Sequence, residues 1–591
     1  MRLNKIYSLL LILSFALSSC EELMEPRDDN HATFERVLRD ADFAEGLLIT
    51  AYTKLPTNGL SYNEVATDDA VSNVKLNSYR RMATGQWSAL SNPVNQWDNC
   101  NSGILYCNHF LSIVDTVTWK WSNAEISKLM TQRFTGEAYA LRAILKYYLL
   151  VTTGGVGENG ELLGIPIYDK FIETEAEFNT PRSSFEESIA SIYADLDKAL
   201  TFLTVDDYKD ISNLAAIPAG FSWVKDYSSY NTVFGNVAIQ RISGRIVKAF
   251  KARVALLAAS PAFNLTNDLT LWEDAANYAG ASLNSIGGIS GLDPVGQKWY
   301  LSTYVDAIKI TSGGADQKEI LWRRPRGVSN SRESANFPPS LFGSGNVNPT
   351  QNLVDAFPMA NGYPITDASS TYNPVTPYAN RDPRFALYIA YNGCTMKGQK
   401  INTGIGGGVN AKDSIATSTR TGYYLRKLLR EDVNMDPKAT TTKNHYEIHM
   451  RYTELFLIYA EAANEAWGPD GTGTVSSFKA RDVISAIRKR AGIKQPDVYL
   501  ATITTKEAMR ELIRNERRIE LCFEDFRFWD LRRWNADLTE TAKGVNINKA
   551  GDTFNYVEVE TRDYNNEYMH YGPLPQNEVL KFNALIQNKG W

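Results

Sequence analysis

Apolar residues recur at three- and four-residue spacing over 95–113, 126–151, 184–203, 244–259, 271–283, 452–466, 477–491 and 506–523. That period puts one apolar stripe on a helix. In the second segment Ala138, Leu141, Leu145, Tyr148 and Leu149 share a face, and its alanines permit close approach, so the pattern predicts helical hairpins packed side by side. No strict 34-residue period joins these segments. Between 285 and 443 the pattern gives way to Gly, Pro, Asn, Ser and Tyr, with short strand-like pieces such as Glu319-Ile320-Leu321-Trp322. Irregular stretches of that length inside a compact domain are functional or disordered; 334–349 and 404–421 read as the most mobile. One polar interruption stands out. On the last helix Met509, Leu512, Ile513, Ile519 and Phe523 line a stripe that contains Glu516. An unpaired carboxylate there is expensive to desolvate, so the nearby arginines, or Arg527, Arg532 and Arg533 after the turn, are predicted to fold back on it as a charged clasp. Such a network reads as architecture rather than catalysis.

The start of the chain changes the picture. Arg2 and Lys5 precede the apolar run 9–17, followed by Ser18-Ser19-Cys20; the run is too short for a stable membrane span and reads as a secretory signal. Leu17-Ser18-Ser19-Cys20 matches the bacterial lipobox, which implies cleavage before Cys20 and acylation of that cysteine. Several acyl chains anchor a protein almost permanently, at about 0.8 kcal/mol per buried methylene. Loss of residues 1–19 removes Arg2 and Lys5 and moves the formal net charge from −5 to −7. Glu21, Glu22, Glu25, Asp28 and Asp29 follow as a solvated tether. An acidic chain without a basic cluster argues against a nucleic-acid partner.

Of the other cysteines, Cys100 and Cys107 lie on one predicted helix about 10.5 Å apart at the 1.5 Å rise per residue, too far for a disulfide. Cys394 and Cys522 lie far apart in sequence and could pair only by tertiary accident, so a large core rather than a disulfide framework carries the stability. Metal and catalytic signatures are missing from the sequence. His445 and His449 have ligand spacing only if helical, whereas 444–449 looks extended, which sets the rings about 13 Å apart at ~3.3 Å per residue. The adjacent carboxylates Asp68-Asp69 and Glu524-Asp525 do not face one cleft as an acid/base pair does. No phosphate loop, dinucleotide fingerprint or nucleophile elbow occurs, and neither cofactor nor metal is expected.

Aromatic residues are abundant: 31 Tyr, 12 Trp and 24 Phe. Most belong in the core. Rings at a helix entrance or loop edge can instead stack on the apolar face of a sugar while amides take its hydroxyls. On that ground Trp97 with Asn101, and Trp299 with Tyr300, are the candidate ligand-binding residues. Trp97 equally suits a ring that staples its helix onto the scaffold.

The block RELIRNERRIELCFEDFRFWDLRRW (510–534) resembles the C-terminal signature of the SusD/RagB family, the outer-membrane nutrient-binding lipoproteins of Bacteroidetes-type bacteria. Five further segments agree in order: QWDNCNSGILYCNHFL (96–111), GEAYALRAILKYYLLVTTGG (136–155), TPRSSFEESIASIYADLDKAL (180–200), RYTELFLIYAEAANEAWG (451–468) and GPLPQNEVLKFNALIQNKGW (572–591). The family's ending usually has a proline near QN-GY, where this chain has Lys589-Gly590-Trp591. The resemblance implies a mainly α fold: four degenerate tetratricopeptide-like helix pairs as a scaffold, with a large irregular loop-rich lobe resting on it. It divides the chain into a signal peptide (1–19), lipidated tether (20–40), N-terminal helical scaffold (41–284), irregular lobe (285–443) and C-terminal helical scaffold with the signature (444–591). The implied function is capture of an extracellular oligosaccharide or polysaccharide without catalysis. The glycan would pass to a TonB-dependent, SusC-like transporter that this protein caps as a lid. Acidic residues after the cysteine fit display on the outer face. A peptide-binding RagB-like receptor and a purely structural lid are the alternatives.

Overall fold

Polar caps start the helices where the apolar periodicity begins. The computed structural model describes residues 37–120, 122–308 and 316–591; the signal segment and Cys20 lie outside them. Asp40 accepts from Phe43 N at 2.9 Å to open α1 (Ala41–Thr53). Asn95 accepts from Trp97 N at 2.9 Å ahead of α2 (Trp97–Ile113), and Asn123 caps α3 (Ala124–Thr153). A reciprocal Ser184–Glu187 capping box sets α4 (Phe185–Phe202). Then come α5 (Gly244–Ala259), α6 (Leu269–Asn284), α7 (Tyr452–Trp467), α8 (Ala480–Ala491), α9 (Lys506–Glu520) and α10 (Arg527–Arg533). The predicted segments agree with α2 to α9 to within a few residues. The sequence pattern missed α1 and α10.

Each helix from α1 to α8 packs on the next in chain order, and α9 also lies on α7. Eight helices in succession make the four pairs that the resemblance implied. Close approach depends on small residues: a Cβ on Gly103 of α2 would stand 2.6 Å from Leu145 Cδ1 of α3. One large apolar core runs through this scaffold. Cys100, Cys107, Cys394 and Cys522 are free thiols and buried.

A second core lies under the lobe and joins Tyr388 and Tyr423 to Ile519 and Phe523. Short antiparallel ladders clip lobe to scaffold: Ile320–Arg323 pairs with Ile448–Arg451, and Gly327–Ser329 with Lys443–His445. Ala70–Ser72 pairs with Val347–Pro349, and the hairpin Ala542–Ile547/Phe554–Glu560 meets the lobe through Val545 N and Thr421 O at 2.8 Å. Segments before 285 and after 443 thus contribute to the lobe.

Two expectations need correction. The segments 334–349 and 404–421 are tied down by hydrogen bonds: Asn73 Nδ2 donates to Ser344 O and Gly345 O at 2.9 Å each, and Thr419 Oγ1 to Tyr423 O at 2.7 Å. Their composition signals short elements, such as the strand Val347–Pro349, joined by turns that side-chain bonds fix. Glu516 is buried and paired, but not by its own helix or by the arginines after the turn. Its partner is Arg384 of the lobe at 2.5 Å, with Arg488 at 3.8 Å. Arg527 turns to Asp68 at 2.8 Å, Arg533 to Glu461 at 2.6 Å, and Arg532 lies over the Phe528 ring at 3.4 Å. The helix points those arginines elsewhere, and the carboxylate is met from across the lobe interface.

Candidate functional site

Helix α2 has two faces of different character. Cys100, Ile104, Cys107 and Phe110 are buried in the scaffold core. Asp98, Asn101, Ser102, Leu105, Tyr106 and His109, at the alternate three- and four-residue positions, line an open groove of about 450 Å³ together with Trp97. The opposite wall comes from Tyr168, Phe171 and Phe178 of the loop after α3, and from Glu578 and Phe582 at the C-terminal helix Gln576–Lys581.

Most of the rings brace one another. His109 packs on Phe171 with centroids 4.6 Å apart and on Phe43 at 5.8 Å. Phe178 meets Tyr168 at 5.8 Å and Phe582 at 6.5 Å. Tyr168 donates its hydroxyl to Phe178 O at 3.0 Å, which fixes the loop. Burial, chiefly, pushes the Tyr168 phenol up to about 12, so it stays a neutral donor at physiological pH. Burial also lowers the pKa of His109 below the usual imidazole value. The groove therefore offers ring faces beside amide, hydroxyl and carboxylate groups, the combination that holds the C–H face and the hydroxyls of a sugar.

The structure brings Trp97 and Asn101 together here. Trp97 is 5 % exposed and forms part of the floor. Asn101 Oδ1 is buried without a hydrogen-bond partner among the described residues. Trp299 and Tyr300 do not join them. They are 4 % and 3 % exposed and packed in the lobe core, where Trp299 lies 5.4 Å from Tyr446 and Tyr300 donates to Leu387 O at 3.3 Å. Neither offers the open ring face expected at a loop edge, because the lobe folds over them. Sequence reading missed Tyr106, His109, Phe171, Phe178 and Phe582. The first two share the α2 face with Asn101 and were findable by spacing; the other three arrive from distant segments.

A second cavity of about 200 Å³ lies between scaffold and lobe, lined in part by Trp299, Arg253, Arg451 and Glu524. Its charges are largely committed: Arg253 pairs with Glu454 at 2.6 Å and Arg451 with Glu524 at 2.8 Å. The two histidines at ligand spacing sit apart in bonding, His445 against Glu333 at 3.0 Å and His449 against Thr57 at 2.7 Å. Among the described residues no group of three or more His, Cys, Asp or Glu side chains is arranged to hold a metal ion. Asp68 and Asp69 are clamped by Arg518 at 2.7 and 2.6 Å.

Comparison with known proteins places this architecture. Residues 315–591 match the family model described as "SusD family", and residues 26–224 the one described as "Starch-binding associating with outer membrane". A SusD-like protein of Formosa agariphila is 24% identical over 547 residues, spanning 89% of this chain and 90% of that protein. A crystal structure of a SusD-like protein from Bacteroides fragilis superposes with a TM-score of 0.70 at 24% identity, covering 96% of this chain and 100% of that one. A laminarin-binding SusD-like protein superposes at 0.54 with 18% identity, covering 94% and 100%. With family models at both ends, a relative along nearly the whole length and the same mainly α architecture, the chain belongs to the SusD family.

Proposed function

We propose that this protein captures extracellular glycan fragments in the α2 groove and hands them to a TonB-dependent, SusC-like transporter in the outer membrane, acting as a binding protein and not as an enzyme. The observation that carries the reading is the groove itself: braced aromatic rings from three segments, with the unpartnered Asn101 amide and the Ser102 hydroxyl among them. The starch-binding description of the model that matches residues 26–224 and the laminarin-binding structural neighbour support a glycan over other nutrients. Acylation at Cys20 would anchor the protein at the membrane, with the acidic tether displaying it on the cell exterior.

Calorimetry against α-1,4-glucan and β-1,3-glucan oligosaccharides, with tryptic peptides as the alternative, tests the ligand class. Saturable glycan binding that Phe171→Ala weakens is the expected result. Binding of peptides alone, or release of reducing ends from a glycan, would refute it. Co-purification with a transporter from outer membranes tests the hand-off. The transporter is expected to be retained by the lipidated protein in detergent.

A further inference from the structure

The groove carries charge of one sign only. Among the described residues that line it, Asp98 and Glu578 are the ionisable acids, and no lysine or arginine is present. The lysines next in the chain to lining residues are solvent-exposed, and each faces a carboxylate outside the groove. Lys581, whose ammonium lies 4.8 Å from the Phe582 ring centroid, bonds Glu175 at 2.8 Å, and Lys170 faces Glu177 at 3.8 Å. A ligand with carboxylate or sulfate groups would meet two carboxylates with no counter-charge, whereas protein sites for anionic groups place arginine or lysine against them. A neutral sugar meets the same carboxylates as hydrogen-bond acceptors, because an ionised carboxylate accepts from hydroxyl donors.

Resting on the glycan reading above, we propose that the groove selects uncharged glycans and discriminates against uronate-containing and sulfated ones, with Asp98 and Glu578 as the discriminating residues. The carboxylates then have two effects. They accept hydroxyls from a neutral chain, and the exposed Asp98 and half-buried Glu578 repel an anionic one by a force that salt screens.

The test compares molecules that differ at C6 alone, a hydroxymethyl group in one and a carboxylate in the other. α-1,4-Glucan and β-1,3-glucan oligosaccharides are each measured by calorimetry beside the same oligosaccharide oxidised at C6 to the uronate. The neutral member of a pair is expected to bind at least about tenfold more tightly, which is about 1.4 kcal/mol. The gap should narrow as salt is raised and in Asp98→Asn and Glu578→Gln, which keep the shape and remove the charge. Equal affinity for both members, or a gap unchanged in both variants, overturns the charge selection while leaving the glycan reading in place. Binding of neither member of either pair overturns both. If one variant fails to fold, the salt dependence of the wild-type gap and the other variant still decide.

Discussion

Replacing Glu520 by glutamine should destabilise this protein more than any other single isosteric change at the junction of lobe and scaffold. Its carboxylate stands between three guanidinium groups from separate elements: Arg490 of α8 at 2.7 Å, Arg384 of the lobe at 2.9 Å and Arg451, just before α7, at 3.2 Å. Burial alone would raise its pKa, but Arg490, Arg451, Arg384 and Lys427 outweigh it and hold the group well below the usual carboxylate range. With charges about 4 Å apart, each pair contributes roughly 4 kcal/mol at an effective dielectric of 20. Removing the charge returns several kcal/mol of desolvation but leaves the guanidinium groups facing one another. The measured cost of breaking a buried pair, about 3–5 kcal/mol, is the net expected here. Urea unfolding of the full chain at pH 7 reads it as a lower midpoint at unchanged slope. The sign with pH follows. A carboxylate whose folded pKa is depressed contributes fully above its unfolded pKa of about 4.3, and that contribution is lost as pH falls through the folded value. The gap between wild type and Glu520→Gln should therefore close only in acid. A cost below about 1 kcal/mol, or lost ligand binding with unchanged unfolding, would show that the cluster does not hold lobe to scaffold.

Phe171, 39% exposed on the groove wall, should lose about 2 kcal/mol of glycan affinity on truncation to alanine, roughly thirtyfold, with thermal unfolding nearly unchanged. Trp97→Ala should weaken binding and also cost about 3–5 kcal/mol of stability, since the ring is buried as well as groove-lining; an unchanged melt would contradict that placement. Cys20→Ala should lose acyl label and leave the membrane fraction, and label retained by that variant would refute the attachment site. His449 is held neutral, its pKa pushed down to about 3 first by burial and then by Arg324 and Arg253. The stability from that neutral ring is complete above the unfolded value of about 6.5 and drains away as pH falls toward 3. His449→Gln should flatten the stability curve in that window, and an equal slope in both proteins would refute the assignment.

The helices were legible because a period of 3.6 is local: α5 begins and ends at the predicted Gly244 and Ala259. The partner of Glu516 was not. Its position in an apolar stripe announced that a cation must come, yet Arg384 lies 132 residues away, and nothing in the spacing distinguishes it from the arginines of the signature block. The site divided the same way. Trp97 and Asn101 were readable because they sit near a helix start, and Tyr106 and His109 follow from the same face. Phe171, Phe178 and Phe582 reach the groove only through the packing of the loop after α3 against the C-terminal helix. Trp299 and Tyr300 are covered by the lobe, Trp299 lining the second cavity instead of the groove, and the sequence hides this for a related reason: a tryptophan and a tyrosine at a loop edge look alike whether the lobe covers them or not.

That division has a functional consequence. Helix α2 presents Cys100, Ile104, Cys107 and Phe110 to a core that tolerates little change, while its other face lines the open groove. The opposite wall is built from a loop and a short terminal helix: Tyr168, Phe178 and Phe582 pack on one another and on the scaffold core, while Phe171 leans on His109 of α2. Substitutions at Phe171 or Glu578, which lie outside that core, can therefore reshape the groove with little effect on the helix pairs. The ion-pair cluster around Glu520 lies instead where lobe and scaffold meet, and changes there act on stability first.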